Sequence, residues 1–346
     1  MKSFTLSWRP IFICCLLLLA VVIVPQVAHA TVWQAIVGAQ STNEGIQALA
    51  FLANELWIHA GDSITWTFPT SEIHTVTFLK QDTTPQQVRP PRPGVPGGGC
   101  PGTTPDGSSF DGSTCVTSGD DNFVDGKTYT VTFPKAGNFK LVCLVHNNMT
   151  GAVHVLDGSE ALPHDQAFYD AQARQDQTEL LADGARLKGR GTATAQQTPG
   201  DEVTVGIGEI VANGGGSHTV SVMRFLQDTI VVRVGDTVEW TNLDPITPNT
   251  VTFGPEPLGP PQPPSAGVTV DTDGARHAVL TSPAGSAHSG FLQAAFQDRV
   301  GLAQFPLALG VTRFRVTFES PGTFNYICAL HDDLGMTGRV IVKPAH

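Results

Sequence analysis

The stretch LWIHAGDSITW at positions 56–66 decides the fold, because it returns as IVVRVGDTVEW at positions 230–240. The offset between the two copies is 174 residues. Each copy alternates apolar and polar residues on either side of a Gly-Asp pair and is rich in β-branched and aromatic side chains, which predicts two strands joined by a tight turn. The chain therefore contains an internal repeat built from strands.

Further repeated runs extend this pattern in both directions. Residues 75–78 return as 250–253, and two strand-turn-strand units, at 129–143 and 314–328, each end in a cysteine. Gly and Pro bound these runs, as is typical of short strands connected by turns. In a chain of 346 residues the repeat predicts an all-β fold, with two tandem Greek-key β-sandwich domains joined by a helical linker.

Composition suggests where the domains begin and end. We expect a signal peptide at 1–30, the first domain at 31–157, a linker at 158–200 and the second domain at 201–346. Pro163 opens a stretch rich in Ala, Gln and Asp, which predicts a helix to about residue 187 and a flexible segment at 189–200. Two interpretations of this helix stay open. It is either a spacer or an element that packs across both domains, with a short apolar face made by Ala167, Phe168 and Ala171.

The N-terminus has the layout of an export signal. Lys2 and Arg9 are followed by an apolar run at 11–24, and small residues end the segment at 28–30. The run of about 14 residues is shorter than the ~20 that a membrane-spanning helix needs, with an uncleaved anchor as the alternative. We therefore expect a periplasmic or secreted protein whose mature chain starts at about Thr31 and has no transmembrane segment.

The net charge of the chain indicates which classes of partner it can bind. The formal charge is −11, and loss of Lys2 and Arg9 with the signal would make it more negative by two. An acidic chain does not favour phosphate backbones, so nucleic acid is not expected as a partner, whereas a basic protein is compatible.

Export also places the cysteines in an oxidising compartment. Cys100 and Cys115 lie in a Pro- and Gly-rich insertion at 85–126, and a second such insertion spans 255–309. We expect both insertions to be loops, the first of them closed by a Cys100–Cys115 disulfide. Free or metal-binding thiols are the alternative.

The strongest chemical signal is the spacing Cys143-x-x-His146-x-x-Met149, directly after a predicted strand. Thiolate, imidazole and thioether groups on one tight loop can converge on a soft metal, and His74, just before the strand at 75–78, offers a second imidazole. Two His, one Cys and a weak axial Met form the ligand set of blue copper. The alternative is a buried cysteine with a neighbouring histidine and a core methionine.

With these residues in view, both halves resemble cupredoxins of the plastocyanin and amicyanin type. The first half has the short, amicyanin-like Cys-x2-His-x2-Met spacing, and the second has the plastocyanin-like Cys-x2-His-x4-Met spacing. The resemblance implies one type 1 copper ion held by His74, Cys143, His146 and Met149 and cycling between Cu(I) and Cu(II). It also implies a protein redox partner and electron entry at His146, the ligand nearest solvent.

The second half departs from this pattern. Cys328, His331 and Met336 repeat three of the ligands, but Asn249 stands where the first half has His74. A carboxamide is a harder and weaker copper ligand than an imidazole, so a second copper site is expected to be empty, weakened or completed by another side chain. The candidates for that completion are His218, His277 and His288.

Single-electron transfer in the first domain, with no enzymatic activity and an altered copper site in the second, is the function that the resemblance implies. A copper storage or carrier protein would use the same ligands. A two-domain copper oxidase or nitrite reductase would resemble the chain in fold, but it would need a further copper centre, typically built from His-x-His pairs, and the sequence has no His-x-His. A structural double sandwich with relic sites is the remaining alternative.

Overall fold

The computed structural model describes residues 30–83, 100, 102–119, 126–195, 200–257, 263–294 and 311–345. The expected signal peptide, apart from Ala30, lies outside the described residues. Within them, no helix combines the length and the apolar character that crossing a membrane would require.

The described elements follow the order that the repeat predicts. The strands of the first half are β1 (Val32–Gln40), β2 (Ile46–Leu52), β3 (Glu55–His59), β4 (Ser63–Phe68), β5 (Thr77–Phe78), β6 (Ser108–Ser109), β7 (Val116–Thr117), β8 (Lys127–Thr132), β9 (Gly137–Val142) and β10 (Thr150–Leu156). The helix α1 (Gln166–Ala195) comes next. The strands of the second half are β11 (Glu202–Ala212), β12 (Ser217–Phe225), β13 (Thr229–Arg233), β14 (Thr237–Leu243), β15 (Thr252–Phe253), β16 (Thr269–Val270), β17 (Arg276–Leu280), β18 (Ala287–His288), β19 (Arg313–Phe318), β20 (Gly322–Ile327) and β21 (Thr337–Lys343).

Each half is a β-sandwich with an aromatic core. One layer of the first half has the strand order β3-β10-β9-β5-β7, and its counterpart in the second half has the order β13-β21-β20-β15-β18. Strands such as β4 alternate buried and partly exposed residues, which places their apolar side chains between the layers. Trp66 packs on Phe78 and Trp240 packs on Phe253, each pair with ring centroids 5.7 Å apart. The prediction of two tandem all-β domains is therefore confirmed.

The remaining layers of the two sandwiches join in one eleven-stranded sheet, in the order β16-β17-β19-β14-β11-β12-β2-β1-β4-β8-β6. The join is the antiparallel pair β2–β12, in which Ala48 lies opposite Val220 and Ile46 lies opposite Val222. By the repeat offset, residue 46 corresponds to residue 220 and residue 48 corresponds to residue 222. Exchanging the two halves therefore turns the Ile46–Val222 pair into the Ala48–Val220 pair, and the reverse. A local two-fold axis therefore relates the halves and passes beside the Gln47–Ser221 pair.

Helix α1 crosses this junction. Gly184 lies against Ile46 of β2 and Val220 of β12, and the buried residues of the helix recur every three, four or seven positions. Those buried residues are Tyr169, Ala173, Leu180, Gly184, Leu187, Gly191 and Ala195. Of the two interpretations left open by the sequence, packing across both halves is the one that the structure has.

Two details of the predicted helix are wrong. The helix continues to Ala195, into the segment expected to be flexible, because Gly191 and Ala195 extend the buried face and tertiary packing outweighs the low helix propensity of glycine. The predicted apolar face was also misplaced by one residue, since Phe168 is exposed whereas Tyr169 is buried and its hydroxyl accepts a hydrogen bond from the Trp57 N–H at 2.9 Å.

The insertions are more structured than the predicted loops where they are described. In the first, Cys100 and Cys115 form a disulfide, and β7 extends the sheet beside β5. In the second, β17 pairs in parallel with β19 and widens the large sheet. The expectation of loops throughout is therefore wrong, because edge strands of the sandwich can pair with short inserted segments.

Candidate metal centre

Two chain segments position the predicted ligands of the first half. His74 lies just before β5, and Cys143, His146 and Met149 lie on the loop from β9 to β10. The loop is closed by the Cys143 N–H, which donates to the Met149 carbonyl at 3.0 Å. It is tied to the other segment by the Leu144 N–H, which donates to Thr75 Oγ1 at 2.7 Å. These bonds hold the loop against the strand that carries His74.

The ligand atoms converge in the interior. His146 Nδ1 is 3.2 Å from His74 Nδ1 and 3.9 Å from Cys143 Sγ, and the three ligand atoms all lie within 4.8 Å of one another. Cys143, His74 and Met149 have no exposed surface, and His146 is 4% exposed. The structure thus brings the three strong predicted ligands of the first half to one point, and Met149 is buried on the same loop.

The electrostatics of the pocket favour a thiolate. Cys143 Sγ accepts hydrogen bonds from the backbone N–H groups of Thr75 and His146, both at 3.4 Å. Burial works to raise the pKa of the Cys143 thiol, but hydrogen bonds and charges from His146 and His74 outweigh it and hold the pKa well below its usual range. A deprotonated sulfur is the form that binds a metal.

Glu72 is a site residue that the sequence analysis missed. Its Oε1 lies 3.1 Å from His146 Nε2, and the residue is 9% exposed. Burial alone would raise the pKa of the Glu72 carboxyl, but the hydrogen bond and charge of His146 lower it to about 2. His146 is the most exposed of the four expected ligands, yet its outer nitrogen faces this carboxylate rather than open solvent. An acidic residue two positions before a candidate ligand was the available signal.

The pocket fits a copper ion. The donor set of two imidazoles, a thiolate and a thioether is the set that soft copper prefers. Gly38, at φ +78°, leaves the space for the His74 ring, since a Cβ there would lie 2.7 Å from His74 Nε2. Within the described residues, His74 Nε2 is buried without a hydrogen-bond partner. His74 Nδ1 is the ring nitrogen that lies near the other ligands, 3.2 Å from His146 Nδ1.

The second half repeats this arrangement with one substitution. Cys328 Sγ is 3.4 Å from His331 Nδ1, and the Cys328 N–H donates to the Met336 carbonyl at 3.0 Å. Asn249 Oδ1 lies 2.9 Å from His331 Nδ1 and 3.6 Å from Cys328 Sγ, in the place of the His74 imidazole. The side chains of Cys328, His331, Met336 and Asn249 are all buried.

None of the three alternative histidines forms a metal-binding group with Cys328 and His331 in the described part of the chain. His277 contacts Asp271 and Thr317, at 3.2 and 2.8 Å. His288 Nδ1 is 2.8 Å from Thr252 Oγ1 on a neighbouring strand. His218 lies in β12, opposite Val211 of β11. The structure therefore does not bring any of these histidines to Cys328 and His331.

Turns of the two halves make hydrogen bonds across the junction, beside the ends of the metal-binding loops. Ser217 donates its backbone N–H to Thr150 Oγ1 at 3.0 Å, and Asn54 donates to Asn213 Oδ1 at 2.7 Å. Reciprocally, Arg224 of the second half donates to the carbonyl of Asn43, in the β1–β2 turn. The two sites therefore lie near the junction of the halves, where His146 and His331 are each 4% exposed.

One family model and several solved structures are similar to parts of this chain. The family described as "Copper binding proteins, plastocyanin/azurin family" matches residues 39–156 and 212–343. Similar solved structures include oxidised plastocyanin from Dryopteris crassirhizoma, with 20% identity over 41% of this chain and 99% of that chain and a TM-score of 0.21. A reduced amicyanin variant has 18% identity over 43% and 88% of the two chains, with a TM-score of 0.22. A purple cupredoxin from Nitrosopumilus maritimus has 18% identity over 41% and 98%, with a TM-score of 0.22.

A search of curated protein sequences found no match. The two segments matched by the family cover more than half of the chain, and each contains one of the Cys-His-Met loops. The resemblance that the sequence suggested is thus confirmed. This chain belongs to the plastocyanin/azurin family of copper-binding proteins, and copper is its cofactor.

Proposed function

We propose that the protein is an exported electron carrier whose first half holds one type 1 copper ion. The ligands are His74, Cys143, His146 and Met149. The observation that carries this proposal is the buried convergence of the two imidazoles and the thiolate, all within 4.8 Å of one another. Bound copper would supply a one-electron couple between Cu(I) and Cu(II).

The residues around the ligands supply a fixed geometry. The Thr75 and His146 N–H groups hold the sulfur of Cys143, and Thr75 Oγ1 holds the loop. Ligands that do not move need little rearrangement when one electron arrives or leaves, and hydrogen bonds to the sulfur tune the potential. A buried site with its side chains closed over it also favours electron transfer, which needs no access for a substrate, over catalysis.

An apolar surface next to the ligands supports a protein redox partner. Ile73 and Val145 precede His74 and His146 in the chain, and they are 45% and 39% exposed. We propose that these two side chains belong to the contact surface for the partner, since contact sites for other proteins are exposed apolar patches. A partner bound to these two side chains would contact the residues that directly precede the two imidazole ligands in the chain.

The test is a spectrum of the full mature chain loaded with Cu(II), with copper counted per chain. We expect intense visible absorption and a paramagnetic signal from the first centre, both lost in Cys143→Ser and in His74→Ala. A reversible one-electron redox titration should then proceed without loss of copper. Loaded protein with no intense absorption would contradict the proposal.

Copper storage is the second candidate, because it uses the same ligands. The two functions differ in what happens on reduction. An electron carrier keeps its copper through repeated cycles against a soluble Cu(I) chelator, whereas a store or carrier of copper releases it. Release within one cycle would favour storage.

Export and the domain boundaries belong to the same proposal. We place the mature chain at 31–346, with domains at 31–157 and 201–346 and the helical linker at 158–200. N-terminal sequencing of protein recovered from the periplasm or the medium should give Thr31 as the first residue. A chain that keeps Met1 and stays with the membrane would contradict export.

A further inference from the structure

The second half contains a buried pocket in which an oxygen takes the place of the first imidazole. Asn249 Oδ1 lies 2.9 Å from His331 Nδ1 and 3.6 Å from Cys328 Sγ, and the nitrogen and the sulfur are 3.4 Å apart. Met336 is fully buried, and its carbonyl closes the loop that carries Cys328 and His331. Three potential donor atoms, one of them an amide oxygen, thus converge, and Met336 is buried on the same loop.

The hydrogen bonds of Asn249 fix which end of its amide faces that point. Its Nδ2 donates to the Thr247 carbonyl at 3.3 Å and to Asn242 Oδ1 at 3.4 Å. Turning the amide over would place Oδ1 against those two acceptors, which is unfavourable. The oxygen is therefore directed at Cys328 and His331.

Asn242 makes this orientation rigid. Its own Nδ2 donates to the carbonyls of Leu292 and Thr247, at 2.7 and 3.2 Å, and its Oδ1 also accepts the Asp244 N–H at 2.9 Å. The backbone of Asn249 is paired with Leu292 in both directions, at 3.0 and 2.7 Å. A buried network in which each amide group has a partner is the kind of support that holds a metal ligand in place.

The space around Asn249 has the same design as the space around His74. Gly206, at φ +67°, would bring a Cβ within 2.8 Å of Asn249 Nδ2, just as Gly38 would approach His74. Thr250 N–H donates to Cys328 Sγ at 3.3 Å, as Thr75 does to Cys143. The pocket has kept these two features that hold a ligand, although the ligand itself differs.

We infer that the second half binds a second copper ion through Asn249 Oδ1, Cys328, His331 and Met336, and that it holds this ion chiefly as Cu(I). The inference rests on the proposed function for the family's first centre and adds a centre of different chemistry. Cu(I) is satisfied by the soft thiolate and thioether with one imidazole, whereas Cu(II) loses a nitrogen donor and gains only a neutral amide oxygen. The second centre therefore has the higher reduction potential of the two.

The experiment isolates the second centre in the full chain by the substitution Cys143→Ser, with Cu(I) supplied anaerobically and copper counted after removal of excess metal. We expect two copper ions per parent chain, one in Cys143→Ser and one in Cys328→Ser. In the Cys143→Ser background, Asn249→His should convert the second centre into one resembling the first. Its affinity for Cu(II) should rise at least tenfold and intense visible absorption should appear.

The reverse exchange provides a matched control. His74→Asn should give the first centre the higher potential and weaker Cu(II) binding of the second, while copper in the second half is unchanged. Far-ultraviolet circular dichroism establishes that each variant is folded. One copper ion in the parent chain and none in Cys143→Ser would overturn this inference and leave the proposed function standing, whereas no copper in the parent would overturn both.

Discussion

Glu72 is not one of the expected copper ligands of the first site, but it contacts one of them, His146. It lies 3.1 Å from His146 Nε2 and is nearly buried, so its negative charge acts on the metal through the imidazole. Glu72→Gln keeps an acceptor for the ring N–H of His146 but removes the negative charge. Because that charge stabilises Cu(II) more than Cu(I), its removal favours Cu(I). Loss of such a partner weakens metal binding by about 10- to 100-fold. A tenfold change in favour of Cu(I) raises a one-electron potential by ~59 mV.

Redox titration of the copper-loaded variant measures this shift. Glu55→Gln is the control, because Glu55 contacts a histidine of the same half, His154, at 3.0 Å but on the surface. Glu55→Gln should leave the potential where it is. Equal potentials for Glu72→Gln and the parent would show that the carboxylate does not act on the centre.

Gly38 makes room for His74, and an added methyl group should remove the first centre. The Cβ of Gly38→Ala would lie 2.7 Å from His74 Nε2, and the residue would be held at φ +78°. We expect displacement of the imidazole, loss of the intense visible absorption and destabilisation of about 1–3 kcal/mol from the backbone strain.

Gly61→Ala separates the two effects. Gly61 has φ +97°, but a Cβ there would meet nothing within 4 Å. This variant should show a similar loss of stability in denaturant unfolding while its visible absorption is unchanged. Full absorption in Gly38→Ala would mean that His74 does not need that space.

The residues of the site divide into those that sequence can reveal and those that need the fold. Cys143, His146 and Met149 were predicted as ligands from their spacing on one loop, and His74 from its place just before a strand. The fold was needed for Glu72, since its place two positions before His74 does not show that its carboxylate turns inward to His146. It was also needed for Asn242, which acts through a side-chain network between distant segments.

Helix α1 is the element whose packing explains most about how the halves are held. At Gly184 an added Cβ would collide with Ile46 of β2 and lie 2.8 Å from Val220 of β12. Gly184→Ala should therefore destabilise the protein by about 1–3 kcal/mol, the usual cost of overpacking. Urea unfolding of the metal-free chain followed by circular dichroism gives the free energy of unfolding.

Gly189 offers the matched control on the same helix. A Cβ there would meet nothing within 4 Å, and the residue is exposed. Gly189→Ala should stabilise the helix by about 0.5–1 kcal/mol, because alanine loses less conformational freedom. A stabilising effect of both substitutions would show that Gly184 is not a contact point.

The helix also shows why element boundaries were predicted poorly. Gly189, Gly191 and Gly200 suggested a flexible segment, since glycine has a low helix propensity. In the structure the small residues allow α1 to approach the sheet closely, and burial of Leu187 and Ala195 supports the last turns. Propensity is a local property, and here the tertiary contact determines the outcome.

At the scale of the whole molecule, the repeat predicted two sandwiches but not their fusion into one sheet. The run IQALAFL of β2 is apolar at nearly every position, which is typical of a strand covered on both faces, and all seven of its residues are buried. This signal was available in the sequence. The pairing of β2 with β12 was not, because register depends on contacts between distant segments.

This fusion predicts that the two halves unfold together. A shared apolar cluster contains Ile46, Ala48 and Leu52 of the first half, Val220 and Val222 of the second, and Leu180 and Leu187 of the helix. Unfolding either half alone would expose the faces of β2, β12 and α1 that the other half covers, at roughly 25 cal/mol for each Å² of apolar surface. We expect one calorimetric transition, with equal calorimetric and van't Hoff enthalpies.

Copper bound only to the first half makes this coupling measurable. In Cys328→Ser loaded with copper, a ligand that binds the folded first half should stabilise the whole cooperative unit. Trp240 is the only tryptophan after residue 200, so the difference in fluorescence between this protein and its Trp240→Phe variant reports on the second half. Copper should raise the midpoint seen by Trp240 as much as the midpoint seen by the first-half tryptophans. If the Trp240 signal kept its metal-free midpoint, the halves would be independent domains that merely touch, and the continuous sheet would contribute little to holding them together.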